Sequence, residues 1–355
     1  MKKLKTGVAY HGNRMLSHAI NDFNEIAKAD MDLVVHMFSH NDWERHDSVM
    51  RDMFKATEER GLEVWVDNWG IGGSPGDKCH FLAYHPEAHT YYGKGKMHPY
   101  QICLNSPAYR QFVKDWAYKV AEIGGKTVFW DEPRIPEVKI DGTNDYYSSC
   151  TCPTCSALFK EKYGREMPEV MDADVAAFRN DTLVEFHEFA SEYANSLGMK
   201  NVICFMPYQL AGIPNQTDAE KMMALDISRI CKIPYIDNVG TDPYWLGRYE
   251  PYEYVYETTK ACVSVADEYN KDHNLWIQTY ALDYGHEEEI VEAYEAAYDG
   301  GARTIIAWSY MGAEPNSYHS KDPQRAWKMM CEGNRRIKDM ERDKRLNELR
   351  IKYMK

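Results

Sequence analysis

The chain has 355 residues, enough for one large α/β barrel or two ordinary domains. Its formal net charge of −13 argues against nucleic acid or an anionic membrane as partner, since both select basic surfaces. No stretch approaches the roughly eighteen apolar residues of a membrane span, and the basic start Met1-Lys2-Lys3 is not followed by the apolar run of a secretory signal.

Nine cysteines are an odd number, and Cys204, Cys231, Cys262 and Cys331 fall in apolar strand or helix patterns. A free thiol there behaves as a small buried hydrophobe, the usage of a reducing compartment, so a soluble cytoplasmic protein is expected. Aromatic residues make up 13%, with 9 Trp and 26 Tyr. Packing accounts for most of that excess; some of these rings would suit the apolar face of a sugar.

Strand-like apolar runs alternate with amphipathic helical runs from the start. Thr6–Tyr10 reads as a strand, Leu16–Lys28 as a helix and Asp32–Met37 as the second strand. A helix over Ser48–Glu59 stops near Gly61, and Leu62–Asp67 is the third strand. Ile71–Tyr100 is a long irregular stretch rich in Gly, His and Tyr, a length that is usually functional or mobile. Ser106-Pro107 caps a helix that runs to Ile123.

The fourth strand, Lys126-Thr-Val-Phe-Trp-Asp131, stops at Asp131-Glu132-Pro133, because proline cannot donate to a ladder. Helices over Ser156–Tyr163 and Asp174–Leu197 end at Gly164 and Gly198. Strand five is Asn201–Phe205, then a helix over Asp218–Cys231, then strand six, Tyr235–Gly240. A helix over Tyr252–Asn270, strand seven (Leu275–Tyr280), a helix over Glu287–Tyr298 and strand eight (Arg303–Trp308) follow. A last helix from Pro323 grades into a charged tail, which either packs on a second subunit of a homo-oligomer or is solvated.

Eight strands, each followed by a helix, predict a (β/α)8 barrel. A doubly wound sheet would carry a Gly-rich phosphate loop after its first strand, and none is present. One domain is expected over 1–355, with a metal-binding loop at about 133–165 and a charged C-terminal helix at about 323–355.

Cys150, Cys152 and Cys155 place three thiolates within six residues. Structural zinc takes four ligands in a tetrahedron. Cys103, just before a helix at the same end of the barrel, is the first choice for the fourth, with Cys79 and His80 behind it. The plain alternative is free thiols, or a disulfide between two of them.

In a parallel barrel the chemistry sits at the C-terminal strand ends. Asp131 and Glu132 stand at such an end. Side chains alternate along a strand, so only one of the two is expected to face the mouth, its partner coming from another strand. Asp67, Asp237, Asp242, Asp283 and Glu314 are the candidates, Asp242 first. Each could instead cap a helix or pair with an arginine. His11, His36 and His40 lie in or near the first two strand ends and are expected to bond ligand hydroxyls or satisfy buried neighbours. Trp69, Tyr244, Trp245, Trp308 and Tyr310 follow strands as aromatic faces for a sugar, or as packing.

Cys103-Leu-Asn105-Ser-Pro107-Ala-Tyr109-Arg110, a helix, a strand ending in a carboxylate, then Cys150-x-Cys152-Pro153-x-Cys155 and Phe159 resemble the glycoside hydrolase family 42 β-galactosidases and related clan A barrels. The resemblance covers about residues 100–165. It implies that Cys103, Cys150, Cys152 and Cys155 hold a structural zinc. The family's acid/base is a glutamate after an asparagine; Glu132 matches it, with Asp131 in the asparagine's place. Its nucleophilic glutamate at the end of strand seven has no counterpart in Trp276-Ile277-Gln278-Thr279-Tyr280.

The expected function is hydrolysis of a small glycoside or oligosaccharide, with Glu132 as general acid, its proton held by an apolar wall around Trp130. Asp242 supplies the second carboxylate. In a variant, Asp131 is the nucleophile and Asp242 the acid/base. His11, His40, Asp67, Trp69, Tyr244, Trp245, Gln278, Trp308 and Tyr310 would contact the sugar. Two rivals are a barrel sugar isomerase or epimerase around a catalytic divalent metal, and a catalytically inactive carbohydrate-binding barrel, with which Gln278 is consistent.

Overall fold

The computed structural model describes residues 2–71, 76, 79–210 and 217–353. Its strands are β1 (Lys5–Tyr10), β2 (Leu33–Met37), β3 (Glu63–Asp67), β4 (His89–Tyr92), β5 (Lys96–Ile102), β6 (Thr127–Asp131), β7 (Lys200–Phe205), β8 (Asn238–Thr241), β9 (Asp272–Gln278) and β10 (Thr304–Trp308). Eight close into a barrel in the order β1-β10-β9-β8-β7-β6-β3-β2, while β4 and β5 form a separate two-stranded sheet. The barrel pairings are parallel, with Val8 beside both Ala307 and Val34, and Asp67 beside Phe129. Parallel strands covered on both faces read as continuous apolar runs, and β2 and β10 are buried at every position. This is the (β/α)8 barrel expected from the sequence.

The residues fall into two compact groups, Met1–Met37 with Arg51–Trp65 and Val239–Lys355, and Phe38–Met50 with Val66–Asn238. In the first, the helix Pro323–Tyr353 is anchored by Trp327, whose indole N–H donates to Glu25 at 2.7 Å. No helix among the described residues is long and apolar enough to cross a membrane.

In the second group, the segment between β6 and the helix Pro153–Tyr163 is pinned by one buried side chain. Arg179, on the helix Ala173–Ser196, donates to the carbonyls of Ile135, Pro136 and Ser149 and to the Glu137 carboxylate, all at 3.0–3.2 Å. A guanidinium spreads five donors in a rigid fork, so one arginine can fix several backbone carbonyls.

Local structure departs from the sequence expectation in four places. The stretch expected to be irregular contains the β4–β5 hairpin. Gly93 and Gly95, with φ of 54° and 75°, turn the chain, and a Cβ at Gly93 would meet the Tyr147 ring at 2.8 Å. Residues 72–75 and 77–78 of that stretch lie outside the described residues. A short helix, His40–Arg45, precedes the one expected from Ser48, opened by a reciprocal cap between Ser39 and Asp42. The helix expected over Asp218–Cys231 is two, Asp218–Met223 and Ile227–Cys231, because Ala224 is extended and Asp226 caps the second. Strand six begins only at Asn238.

Candidate active site and metal centre

The carboxylates at the end of β6 are held by a break in the backbone. Asp131 is the last strand residue, and its N–H donates to the Asn68 side chain at 2.9 Å. Glu132 follows in a left-handed conformation, φ 43°, while its N–H still reaches the Cys204 carbonyl of β7 at 3.2 Å. A non-glycine residue in that region is uncommon and marks a turn or a strained site. Strand alternation stops there, so the expectation that only one of the two carboxylates can serve the mouth does not apply to Glu132.

Glu132 is 6% exposed and lies 3.3 Å from the Arg134 guanidinium, which also reaches the Met206 sulfur. Trp130 forms no wall for it. That indole packs at 5.7 Å on Trp116 and donates to Asn201, because the strand's alternation turns it toward the helical layer.

Asp67, at the end of the neighbouring β3, is 1% exposed and accepts the Trp69 N–H, and its Oδ1 has no hydrogen-bond partner among the described residues. Burial, then the charges of Asp131 and Glu132, hold its carboxyl well above the ordinary range. Burial and then Glu132 do the same to the half-buried Asp131, opposed by Arg134. Three carboxyl groups and one guanidinium therefore meet at the tips of β3 and β6, and burial with mutual repulsion raises the Asp67 and Asp131 carboxyls together.

Arg134, Asn68, Glu137 and Tyr208 complete the surroundings and were not singled out from the sequence. Burial and then the charge of Glu137 push the Tyr208 pKa upward. Arg134, two residues beyond Glu132, was the one with a visible sign: a cation directly after Asp-Glu-Pro.

The four cysteines converge. Cys103, Cys150, Cys152 and Cys155 are buried, and their sulfurs lie within 4.8 Å of one another. Cys103 Sγ is 3.4 Å from Cys155 Sγ and 3.6 Å from Cys152 Sγ, far beyond the roughly 2.05 Å of a disulfide. The fourth member is Cys103, not Cys79 or His80. Cys152 caps the helix Pro153–Tyr163, accepting the Cys155 N–H, and Asn105 donates to Cys155 at 3.4 Å. Four buried sulfurs so arranged can hold a metal ion.

The other expected residues divide. In the first group, His11 meets Trp308 edge to face at 4.8 Å, Trp308 meets Tyr280 at 4.7 Å, and Tyr280 meets Tyr244 at 5.2 Å. His11, Tyr280 and Tyr244 follow β1, β9 and β8, Trp308 ends β10, and Tyr280 was not among the expected contacts. Asp242 is half-buried just past β8.

Trp245, Gln278 and Tyr310 are buried. Trp245 is 1% exposed and gives its N–H to Glu289 at 2.6 Å. Gln278 is wholly buried, accepting the Leu246 N–H and donating to the Tyr280 carbonyl, and so holds a turn. Tyr310 is buried between Tyr10 and Trp327 and donates to Glu25. His36 is also interior, bonded to Thr57, with burial lowering its pKa to about 3.

In the second group, Trp69 is half-buried beside Asp67, and His40 lies apart from the cysteines, against Glu44, Cys79 and His80. Among the remaining carboxylates, Asp237 is spent on the Asn201 N–H at the start of β8, and Asp283 and Glu314 are exposed.

No protein-family model and no curated protein sequence matches the chain. Solved structures do. A β-galactosidase from the psychrophilic Marinomonas ef1 aligns with a TM-score of 0.67 at 16% identity, over 96% of this chain and 60% of that one. A cold-adapted β-galactosidase from Rahnella sp. R3 aligns with a TM-score of 0.68 at 14% identity, over 96% and 56%. An endo-β-1,4-mannanase from Thermotoga petrophila gives 0.57 at 10% identity, over 95% and 77%. These likenesses show the fold. The chain spans less than two thirds of the two β-galactosidases.

The raised Asp67 carboxyl sets a sign for stability. Its folded pKa lies above the unfolded value of about 3.9, so its stabilising contribution is complete at low pH and is lost as pH rises through the folded pKa. Asp67→Asn removes the buried ionisable group and is expected to raise the melting temperature at about pH 8, with the gain vanishing near pH 4. Thermal melts across that range check it; a variant less stable than wild type at the upper end contradicts the reading.

Proposed function

We propose that the protein is a glycoside hydrolase acting on a small glycoside or oligosaccharide through the carboxylates at the tip of β6. The meeting of Asp67, Asp131 and Glu132 around a single guanidinium carries the reading. Glycosidic cleavage needs one carboxyl that keeps its proton and another that keeps its charge. Asp131, half-buried and with its carboxyl raised by burial and then by Glu132, suits the donor that protonates the leaving oxygen. Glu132, ion-paired to Arg134, suits the charged role. The acid role moves one residue back from the sequence expectation. Asp242 is proposed as a further catalytic carboxylate, which Asp242→Asn tests.

The edge-to-face series His11–Trp308–Tyr280–Tyr244 supports a carbohydrate ligand, since ring faces suit the C–H side of a sugar. The solved β-galactosidases and mannanase with this fold support the same class, without assigning a sugar.

The cysteine cluster is proposed to hold structural zinc. A tetrahedron with Zn–S arms of about 2.3 Å puts its sulfurs about 3.8 Å apart, close to the separations of 3.4 and 3.6 Å. All four positions are taken by protein, so the ion would brace the loop after β6. Unoxidised thiols of this kind fit a cytoplasmic location.

Release of aglycone from a panel of α- and β-nitrophenyl glycosides tests the function. Asp131→Asn is expected to lose about 10²- to 10⁴-fold in kcat/KM. Glu132→Gln removes the charge that holds the Asp131 proton, so the basic limb of the pH profile should move to lower pH. Collapse in Glu132→Gln with the limb unmoved returns the acid role to Glu132. No turnover of any glycoside by folded, zinc-loaded protein overturns the hydrolase reading.

After washing with a mild chelator, one zinc per chain is expected to remain, by elemental analysis. Cys152→Ser should lose it, together with about 4 kcal/mol of stability in denaturant melts. A wild type that holds no metal and melts unchanged by a strong chelator contradicts the zinc assignment.

A further inference from the structure

We propose a second metal site, formed by His40, Glu44 and His80, that takes a divalent transition-metal ion, zinc being the best match. It is independent of the glycosidase reading and lies apart from the cysteine cluster. Among the described residues these three donors fall within 4.8 Å of one another.

Each donor is delivered by a definite piece of backbone. β2 ends at Met37, and the Ser39–Asp42 cap starts the helix His40–Arg45 immediately after it. Glu44 stands four residues after His40, so both lie on one face of that helix. His80 arrives from the segment that follows β3 and starts the short helix Phe81–Tyr84. The His40 ring is fixed edge to face on Phe112 at 4.9 Å and lies against Trp43 at 5.7 Å.

The separations favour an ion over a simple pair. His40 Nε2 is 3.4 Å from Glu44 Oε1, and His80 Nδ1 is 3.5 Å from Glu44 Oε2. A charge-assisted hydrogen bond would close to about 2.8 Å. Two arms of about 2.0–2.1 Å at a tetrahedral angle place their donor atoms about 3.4 Å apart, close to the separation of each imidazole from its nearer Glu44 oxygen, Oε1 for His40 and Oε2 for His80. Two imidazoles and one carboxylate are also a donor set that zinc accepts while keeping one position open.

His40 Nδ1 accepts the His80 backbone N–H at 3.2 Å and has Cys79 Sγ at 3.4 Å. Ligation through Nε2 puts the ring proton on Nδ1, where that sulfur can accept it. The loaded site therefore trades the His80 N–H contact for one to Cys79. His40 is buried whereas His80 and Glu44 are exposed, so the ion enters from solvent.

The test is a zinc titration of chelator-washed protein whose cysteine cluster is already filled, followed by elemental analysis and a thermal melt. Wild type is expected to take up one further equivalent with micromolar or tighter affinity and to melt higher. His80→Ala changes an exposed side chain, so it should fold normally and bind that equivalent at least tenfold more weakly. Glu44→Gln should fall between them. No second equivalent in wild type, or equal uptake by His80→Ala, overturns the proposal.

Discussion

Like charges buried side by side cannot all remain charged, and the tip of β6 is built around that constraint. Asp67 and Asp131 come from adjacent strands, Glu132 follows directly, and Arg134 supplies one compensating cation. Burial and this repulsion raise the Asp67 and Asp131 carboxyls. A proton kept on an accessible carboxyl is what general acid catalysis requires. The same burial costs stability above the ordinary carboxylate range.

Holding the cluster takes rigid support. The left-handed residue at Glu132 turns the chain out of β6 while its N–H stays bonded to β7. A few residues on, Arg179 gathers three carbonyls of the following segment. Further along, Cys150, Cys152 and Cys155 tie the segment to Cys103, just before the helix Pro107–Glu122. The segment after β6 is fixed near its start and at its end, which limits the freedom of Glu132.

The barrel was readable in the sequence because parallel strands are buried on both faces and appear as short apolar runs between amphipathic helices. Asp131-Glu132-Pro133 announced a strand end, and the spacing of Cys150, Cys152 and Cys155 announced a cluster, with Cys103 placed correctly as the fourth member. What stayed hidden depends on direction rather than composition. The period of a strand gives no warning that Glu132 sits at φ 43° or that Trp130 turns to Trp116. Trp245, Gln278 and Tyr310 sit after or at strand ends, as ligand-binding residues do, but their polar atoms are used by Glu289, Leu246 and Glu25. His40 and His80 are forty residues apart, joined through the fold. The hairpin carried a local sign, two glycines flanking Lys94, inside a stretch whose polarity suggested a loop.

The most direct test of the account is a carboxyl-carbon NMR titration of protein labelled at aspartate, with the Asp131 resonance assigned from Asp131→Asn. Asp131 is expected to titrate clearly above the ordinary aspartate value of about 3.9, and to move down when Glu132 is replaced by glutamine. An Asp131 that ionises at or below that value, unaffected by Glu132, would contradict the central claim that the tip of β6 retains a proton.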